Sequence, residues 1–241
     1  MKDPNGISVL DLLYPRHCPF CGEILPSGHL AHETCIRALP GMGGIRCAVC
    51  GRPLAEGTLC EDCAARPRIF RKGRSAFPYQ ASLRTAMSMM KFHGRAEYAF
   101  PLGLLLYERE GETAASWGCG LIVPVPMYRK KKRKRGYDQA ELIAKTFSMA
   151  SHLPMDRRAL RRVRPTGAMK ELGARERREN MAHAFEADPK RVGGKRILLI
   201  DDIYTTGSTL EACAAALLAA GAEDVFFLTV CAAVPSDDGS C

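Results

Sequence analysis

The sequence predicts an α/β protein, with a parallel β-sheet and flanking helices, preceded by a small cysteine-rich module. Residues 197–200 are aliphatic at every position, which is typical of a parallel strand covered on both faces, and helix-forming residues 210–220 follow after a short loop. Seven of the eleven cysteines lie within residues 18–63, in closely spaced pairs. The expected domains are therefore a cysteine module over residues 1–66 and an α/β domain over residues 75–235.

The composition fits a globular protein of one ordinary α/β domain plus something smaller. The chain has 241 residues, of which 46% are hydrophobic, and a formal net charge of +9. No apolar run approaches the roughly 18 residues of a membrane-spanning helix, and no charged-then-apolar leader opens the chain. We expect a soluble, cytoplasmic protein without a membrane span, in which clustered cysteines bind metal in preference to forming disulfides.

The cysteine spacing predicts two structural zinc sites. Two Cys-x2-Cys pairs separated by nine residues supply four thiolates, which complete a tetrahedral shell. The upstream half has three cysteines, and a histidine with the same x2 spacing fills the fourth position. The predicted ligands are Cys18, Cys21, His32 and Cys35 in the first site and Cys47, Cys50, Cys60 and Cys63 in the second. His29 competes with His32 as a ligand, and spacing alone leaves interleaved pairing open.

The α/β part begins with an amphipathic helix over Ala81–Phe92, because Leu83, Met87 and Met90 recur at helical spacing. Further elements are predicted in this order: a helix continuing over residues 102–106, a loop over 111–120, a short strand over 121–126 and a helix over 140–149. Residues 164–180 are basic, contain two glycines and lack a clear apolar stripe. We expect this segment to form a lid that excludes water.

A phosphate-binding loop is predicted where the strand over residues 197–200 ends. Asp201 and Asp202 come directly after the aliphatic run and could meet the hydroxyls of a sugar. The small residues that follow are Thr205, Thr206, Gly207, Ser208 and Thr209. Their backbone amides would face a phosphate monoester at the positive end of the next helix. An ordinary serine or threonine helix cap with solvated aspartates is the alternative.

Residues 129–135 form an unbroken run of seven lysines and arginines. Three interpretations stay open for it: steering of an anionic small substrate, contact with single-stranded nucleic acid, or a solvated loop. Tyr128 and Tyr137 bracket the run and could stack on bases.

The acid pair and the small-residue loop resemble the phosphoribosyl diphosphate loop of type I phosphoribosyltransferases. In that family the acids contact the ribose 2′ and 3′ hydroxyls, and the Thr-Thr-Gly-Ser-Thr stretch binds the 5′ phosphate. Residues 124–126, 135–144 and 177–185 occur with this loop in the order seen in ComF-type proteins, which also carry an amino-terminal zinc module. The resemblance spans almost the whole chain and implies a role in DNA uptake during natural transformation. Asp138 and Met169 stand where that family commonly has asparagine and glutamine.

The resemblance also implies ligands and partners. Phosphoribosyl diphosphate with magnesium would be held by the acids and the loop, joined by Lys91, Arg135 and Arg177, although each of these three can also be a surface or helix-end residue. Partners would be single-stranded DNA and a DNA-uptake helicase or recombination-loading protein. Two alternatives remain: a salvage enzyme that moves phosphoribosyl to a base or amine, and a catalytically inactive, nucleotide-sensing protein that binds nucleic acid.

Overall fold

A computed structural model describes residues 15–164 and 184–233. The helices are α1 Glu33–Arg37, α2 Glu61–Ala65, α3 Ala81–Phe92, α4 Ala99–Ser116, α5 Arg129–Arg135, α6 Gln139–Ser151, α7 Pro189–Val192 and α8 Ser208–Ala219. The strands are β1 Ile45–Arg46, β2 Pro53–Leu54, β3 Lys72–Pro78, β4 Leu121–Pro124, β5 Leu160–Arg162, β6 Phe185–Ala187, β7 Arg196–Tyr204 and β8 Asp224–Ala232.

The central sheet has the order β3-β8-β7-β4 and is parallel throughout. One of its two inner strands, β7, carries the aliphatic run and extends beyond it to Tyr204, because β8 continues to pair with it as far as Ala232. On the other side β4 pairs with β7 only as far as Pro124 opposite Ile200. Asp201 and Asp202 therefore lie within β7, one step past the end of β4, and not at the end of their own strand as the sequence suggested.

Both faces of the sheet are covered, as a continuous apolar strand requires. Leu198 and Ile200 belong to a core cluster with α3, α4 and α6, whereas Ile197 and Leu199 belong to a second cluster with α8. Alternate residues of β7 thus point to opposite faces. The methionine stripe of α3 is fully buried in the first of these clusters, which agrees with the periodicity of its sequence.

The cysteine module packs against the sheet on both sides. Cys18, Phe20 and Leu25 join the core on the α3, α4 and α6 face, whereas the cysteines between residues 47 and 63 join the core on the α8 face. The amide of Gly73 in β3 donates to the carbonyl of Val49 at 2.7 Å, which connects the module directly to the edge of the sheet. The predicted class, a parallel sheet with flanking helices behind a cysteine module, is confirmed.

One prediction of local structure is wrong. Residues 111–120 were expected to be a loop, but α4 continues to Ser116, with Gly111 seated against the ring of Tyr107 and Ala114 buried. The basic run, for which a solvated loop was one of three interpretations, forms the helix α5, since lysine and arginine are good helix formers and Gly136 ends the helix at a φ of 88°. Within the described residues, no helix combines the length and apolar character that crossing a membrane requires.

Candidate functional site

The eight predicted metal ligands come together in two groups of four, consecutive along the chain and not interleaved. In each group the candidate ligand atoms all lie within 4.8 Å of one another. We call Cys18, Cys21, His32 and Cys35 the first cluster and Cys47, Cys50, Cys60 and Cys63 the second cluster. Cysteine thiolates with at most one imidazole are the donors that structural zinc prefers, and each group leaves no position for a substrate. Both groups fit a structural zinc ion.

Local backbone geometry builds both clusters in the same way. Gly22 and Gly51 follow the first pair of each cluster at φ values of 81° and 72°, where a side chain would be strained. The amide of Gly51 donates to the carbonyl of Cys47 at 3.0 Å, which closes the tight turn that presents two sulfur atoms. His32 and Cys60 each cap the short helix that brings in the second half of the ligands.

The clusters differ in exposure. All four residues of the second cluster are buried, whereas Cys21 is exposed and His32 and Cys35 are half-buried. His32 Nδ1 lies 3.3 Å from Cys21 Sγ, and the competing His29 instead contacts the carbonyl of Ser27. Burial opposes ionisation of Cys47, but hydrogen bonds from the backbone of Cys50, Cys60 and Val49 outweigh it and lower the pKa of that thiol to about 6, whereas burial raises the pKa of Cys50. The Cys47 thiol is largely ionised at neutral pH, the form that binds metal.

The predicted acids line a cavity of about 760 Å³ beyond the carboxyl end of β4. Five predicted residues share its wall, namely Lys91, Arg135, Asp201, Asp202 and Thr209. Asp202 is 5% exposed and accepts from Lys91 Nζ at 2.7 Å and from Gln139 Nε2 at 3.0 Å. Arg135 in turn donates to Gln139 Oε1, so Lys91 contacts the carboxylate directly and Arg135 is linked to it through the amide of Gln139. Arg177, the predicted lid except Arg164, and Met169 lie outside the described residues.

The two acids face different sides of the sheet. Asp202 points with Leu198 and Ile200 toward α3 and α6, whereas Asp201 lies on the α8 face near Cys213 and Arg162. Burial raises the pKa of Asp201 well above its usual range, and the neighbouring negative charge of Asp202 raises it further. Asp201 therefore holds its proton more readily than an ordinary carboxyl, whereas Asp202 beside it is ion-paired with Lys91.

The phosphate loop connects β7 to α8 through residues 205–207. Gly207 has a φ of 80°, and a Cβ at that position would lie 2.9 Å from the hydroxyl of Tyr204, so glycine is required both by conformation and by space. Thr206 Oγ1 contacts Ser208 Oγ at 2.8 Å, and Gly207 caps α8 without a side-chain acceptor. The amide of Ser208 makes a long contact of 3.4 Å with Thr206 Oγ1, and the first amides of a helix have no partner within the helix, so the start of α8 suits an anion. Of the loop residues, Thr209 faces the cavity itself.

Gln139 and Arg162 line the cavity but were missed as site residues by sequence reasoning. Lys131 and Lys134 also line it and belong to the basic run, for which steering of an anionic substrate was one of the three interpretations. Gln139 had a detectable signal, since it follows the helix cap Asp138 within the motif at residues 135–144. Arg162 had none: it reaches the cavity from β5, and its guanidinium lies 5.4 Å from the ring centroid of Phe185 in β6.

Asp138 has a structural role in this cleft. Its carboxylate accepts from the amide of Met127 at 2.9 Å and from the amide of Glu141 at 3.4 Å, so it joins the turn after β4 to the start of α6. The two amides bond to different carboxylate oxygens, whereas an asparagine offers a single acceptor oxygen and could keep only one of these bonds in the same orientation. The aspartate therefore makes both contacts.

The basic helix α5 lies along one side of the cavity. Lys132 pairs with Glu141 at 2.5 Å and Arg135 bonds to Gln139, whereas the other five cations make no ion pair with any described residue. Tyr137, proposed as a stacking residue, packs against the core and donates to the carbonyl of Met90. It is therefore committed to the fold. Tyr128 lines a second cavity of about 730 Å³ on the other side of α5.

Comparison with known proteins gives matches to both parts of the chain. A family model for the double zinc ribbon domain matches residues 9–64, and one for the phosphoribosyl transferase domain matches residues 133–239. Together with the two clusters, the first match supports structural zinc.

Relatives extend the similarity to nearly the full length. The DNA utilization protein YhgH of Escherichia coli O157:H7 is 30% identical over 225 residues, which cover 91% of this chain and 98% of the relative. The competence protein ComFC of Bacillus subtilis (strain 168) is 28% identical over 200 residues, 78% of each chain. Among solved structures, the glutamine phosphoribosylpyrophosphate amidotransferase of B. subtilis covers 60% of this chain at 20% identity, with a TM-score of 0.42 over 30% of its own length.

Proposed function

This chain belongs to the ComF family, as its motifs predicted, and from that premise we propose that it binds phosphoribosyl diphosphate with magnesium in the cavity beside Asp201 and Asp202. The observation that carries the proposal is the convergence of the acid pair, Lys91 and Arg135 at the open start of α8. An acid pair, a phosphate cradle and cations in one cleft match the three chemical parts of that ligand: sugar hydroxyls, a 5′ phosphate and a diphosphate.

Each part of the ligand has a partner in this cleft. The amides of Thr206, Gly207, Ser208 and Thr209 would hold the 5′ phosphate, with Thr205 shaping the turn before them. The acids would accept from the ribose hydroxyls. The diphosphate would lie toward the turn after β4, where Lys91 and Arg135 supply positive charge. When bound, magnesium would neutralise diphosphate oxygens while keeping several waters, so few protein carboxylates are needed.

Ligand binding would reorganise the contacts of Asp202. In the ligand-free cleft Lys91 neutralises this carboxylate at 2.7 Å. A diphosphate carries more negative charge and would compete for the ammonium, which frees the carboxylate to accept from a ribose hydroxyl. Transfer to a nitrogen nucleophile would then depend on positioning and charge stabilisation, because an oxocarbenium-like transition state needs no covalent catalyst.

We further propose that the protein handles single-stranded DNA during DNA uptake. Two features support this: the relatives are named for DNA utilization and competence, and five cations of α5 have no acidic partner among the described residues. The cytoplasm and a DNA-uptake helicase or recombination-loading protein are the compartment and the partner that such a role implies.

Phosphorus NMR of phosphoribosyl diphosphate with protein and magnesium tests the ligand assignment. Asp201→Asn combined with Asp202→Asn should weaken binding at least about tenfold, since two acceptors for ribose hydroxyls become amides with a donor end. Asp224→Asn, at the amino end of β8 and thus at the opposite end of the strands, is the matched control and should leave binding unchanged.

The same spectra separate binding from turnover. Release of diphosphate with one of a panel of bases or amines, abolished in the double variant, would establish a transferase. Binding without release across the panel would favour a ligand-sensing role. If the wild-type protein neither binds nor consumes the compound, the ligand assignment is wrong.

A further inference from the structure

The second cluster contacts the phosphate loop through arginines. Arg52, two residues after the ligand Cys50, donates from Nη2 to the carbonyl of Thr205 at 2.7 Å and from Nη1 to Asp62 at 2.9 Å. Its guanidinium also lies 5.6 Å from the ring centroid of Tyr204, the last residue of β7. One side chain of the metal module therefore joins α2 of its own module to the first residue of the loop.

A second arginine fixes the other end of the loop. Arg68 has a side chain only 2% exposed and donates to Glu211 in the first turn of α8 at 3.0 Å, with the carbonyl of Thr206 a further 3.5 Å contact. Arg66 binds the same carboxylate at 2.8 Å. The start of α8 is thus attached to the segment that follows Cys63.

Tyr204 adds an apolar link between the same parts. Its ring stacks on Phe227 with centroids 5.1 Å apart, and its buried hydroxyl lies against Gly207 on one side and Cys50 on the other. The hydroxyl has no hydrogen-bond partner among the described residues. Cys50, Tyr204 and Gly207 therefore form a continuous packed path from a metal ligand to the loop glycine.

We propose that Arg52 is a positioning residue for the phosphate loop, and that metal bound at the second cluster orders the loop through it. Without the arginine contacts, the peptide planes that carry the carbonyls of Thr205 and Thr206 could rotate. Because the contacts hold these carbonyls, they fix the direction of the amides that follow. Zinc fixes the turn that carries Arg52, because a module of this size has too small a core to fold alone. This inference rests on the proposed phosphoribosyl diphosphate site.

Arg52→Gln tests the inference against Arg46→Gln as matched control. Arg46 belongs to the same module but pairs with Glu110 of α4, away from the loop. Each variant is measured for zinc per chain, for amide hydrogen exchange across residues 204–210 without ligand, and for phosphoribosyl diphosphate affinity by calorimetry. Arg52→Lys is a second variant, which keeps the charge but lacks the planar fork needed to reach Thr205 and Asp62 together.

We expect both Arg52 variants to retain the zinc content of the wild type, to exchange loop amides faster and to bind the compound about tenfold more weakly, whereas Arg46→Gln matches the wild type in all three. Unchanged loop exchange in the Arg52 variants overturns the inference, and so does faster exchange with unchanged affinity. If the wild type fails to bind, the proposed function falls, while loop exchange still decides whether Arg52 orders the loop.

Discussion

Asp201 illustrates at the scale of one residue how a binding function opposes stability. Burial of its carboxyl, and after that the neighbouring charge of Asp202, raise the pKa of Asp201 well above the usual range. Arg162 nearby is an opposite charge that burial makes less basic. The folded protein therefore holds a carboxyl whose ionised form is disfavoured relative to the unfolded chain.

Asp201→Asn should consequently make the protein more stable at neutral pH. A carboxyl whose pKa is raised by folding makes its full contribution to stability below the pKa of the unfolded chain, about 3.9. That contribution is lost as the pH rises through the pKa of the folded protein. The variant has no such loss, so its free energy of unfolding should exceed that of the wild type by on the order of 1 kcal/mol at pH 7 and match it near pH 4.

Urea unfolding of both proteins between pH 4 and pH 8 measures this difference. Asp224→Asn serves as control, because Asp224 lies in ion-pair range of Arg71 and Arg196 at the amino end of β8 and should not gain stability when neutralised. A difference between the Asp201 variant and the wild type that did not vary with pH would contradict the expected titration.

At the scale of the elements, the cleft arises because neighbouring strands end at different levels. β4 stops at Pro124 while β7 and β8 continue to Tyr204 and Ala232. The uncovered flank of β7 is where the acids meet α3, α5 and α6. The amide of Val125 still donates to the carbonyl of Ile200 at 2.9 Å, and Pro126, which has no amide hydrogen, follows it.

This difference in strand length also explains which elements sequence reasoning could predict. β7, its loop and α8 depend on local composition, so a continuous apolar run followed by small residues was sufficient. The end of β7 depends on its pairing with β8, and the length of α4 depends on the fit of Gly111 to Tyr107. The contacts of Arg52 and Arg68 with the loop join residues more than a hundred positions apart and have no local pattern.

The helical form of α5 bears on its proposed contact with DNA. Lys130 and Lys134 are exposed and one helical turn apart, so they lie on the same side of the helix, where Lys134 also borders the cavity. Single-stranded DNA affinity that depends on them should weaken with salt, with a slope of about −0.7 for each phosphate contacted.

Lys130→Gln combined with Lys134→Gln should therefore weaken single-stranded DNA binding and reduce the magnitude of the salt slope by about 1.4. Fluorescence anisotropy with a labelled oligothymidine at several salt concentrations gives both quantities. Lys190→Gln combined with Lys195→Gln removes the same charge from exposed positions around α7 and should leave the slope unchanged. Equal effects of the two pairs would show that net charge, not α5, determines the affinity.

On the scale of the whole molecule, the two clusters occupy opposite faces of one sheet. The first cluster lies with the core of α3, α4 and α6, and the second lies with the core of α8 and the phosphate loop. Neither cluster is a separate appendage, because Cys18 and Cys47 are both fully buried within these cores. Loss of metal from either one should affect a different half of the α/β domain.

The difference in exposure between the clusters predicts two phases of zinc release. The purified protein should contain two zinc ions per chain. A chelator should remove the ion of the first cluster quickly, because Cys21 is exposed and His32 and Cys35 are half-buried. The four buried cysteines of the second cluster should release zinc slowly, as access requires local opening of the α8 core. A colorimetric chelator assay resolves the two rates.

His32→Ala should remove only the fast phase and Cys47→Ser only the slow one, with the larger drop in melting temperature for Cys47→Ser. A His32→Ala protein that kept both zinc ions would eliminate His32 as a ligand, and a single release phase in the wild type would contradict the difference in accessibility.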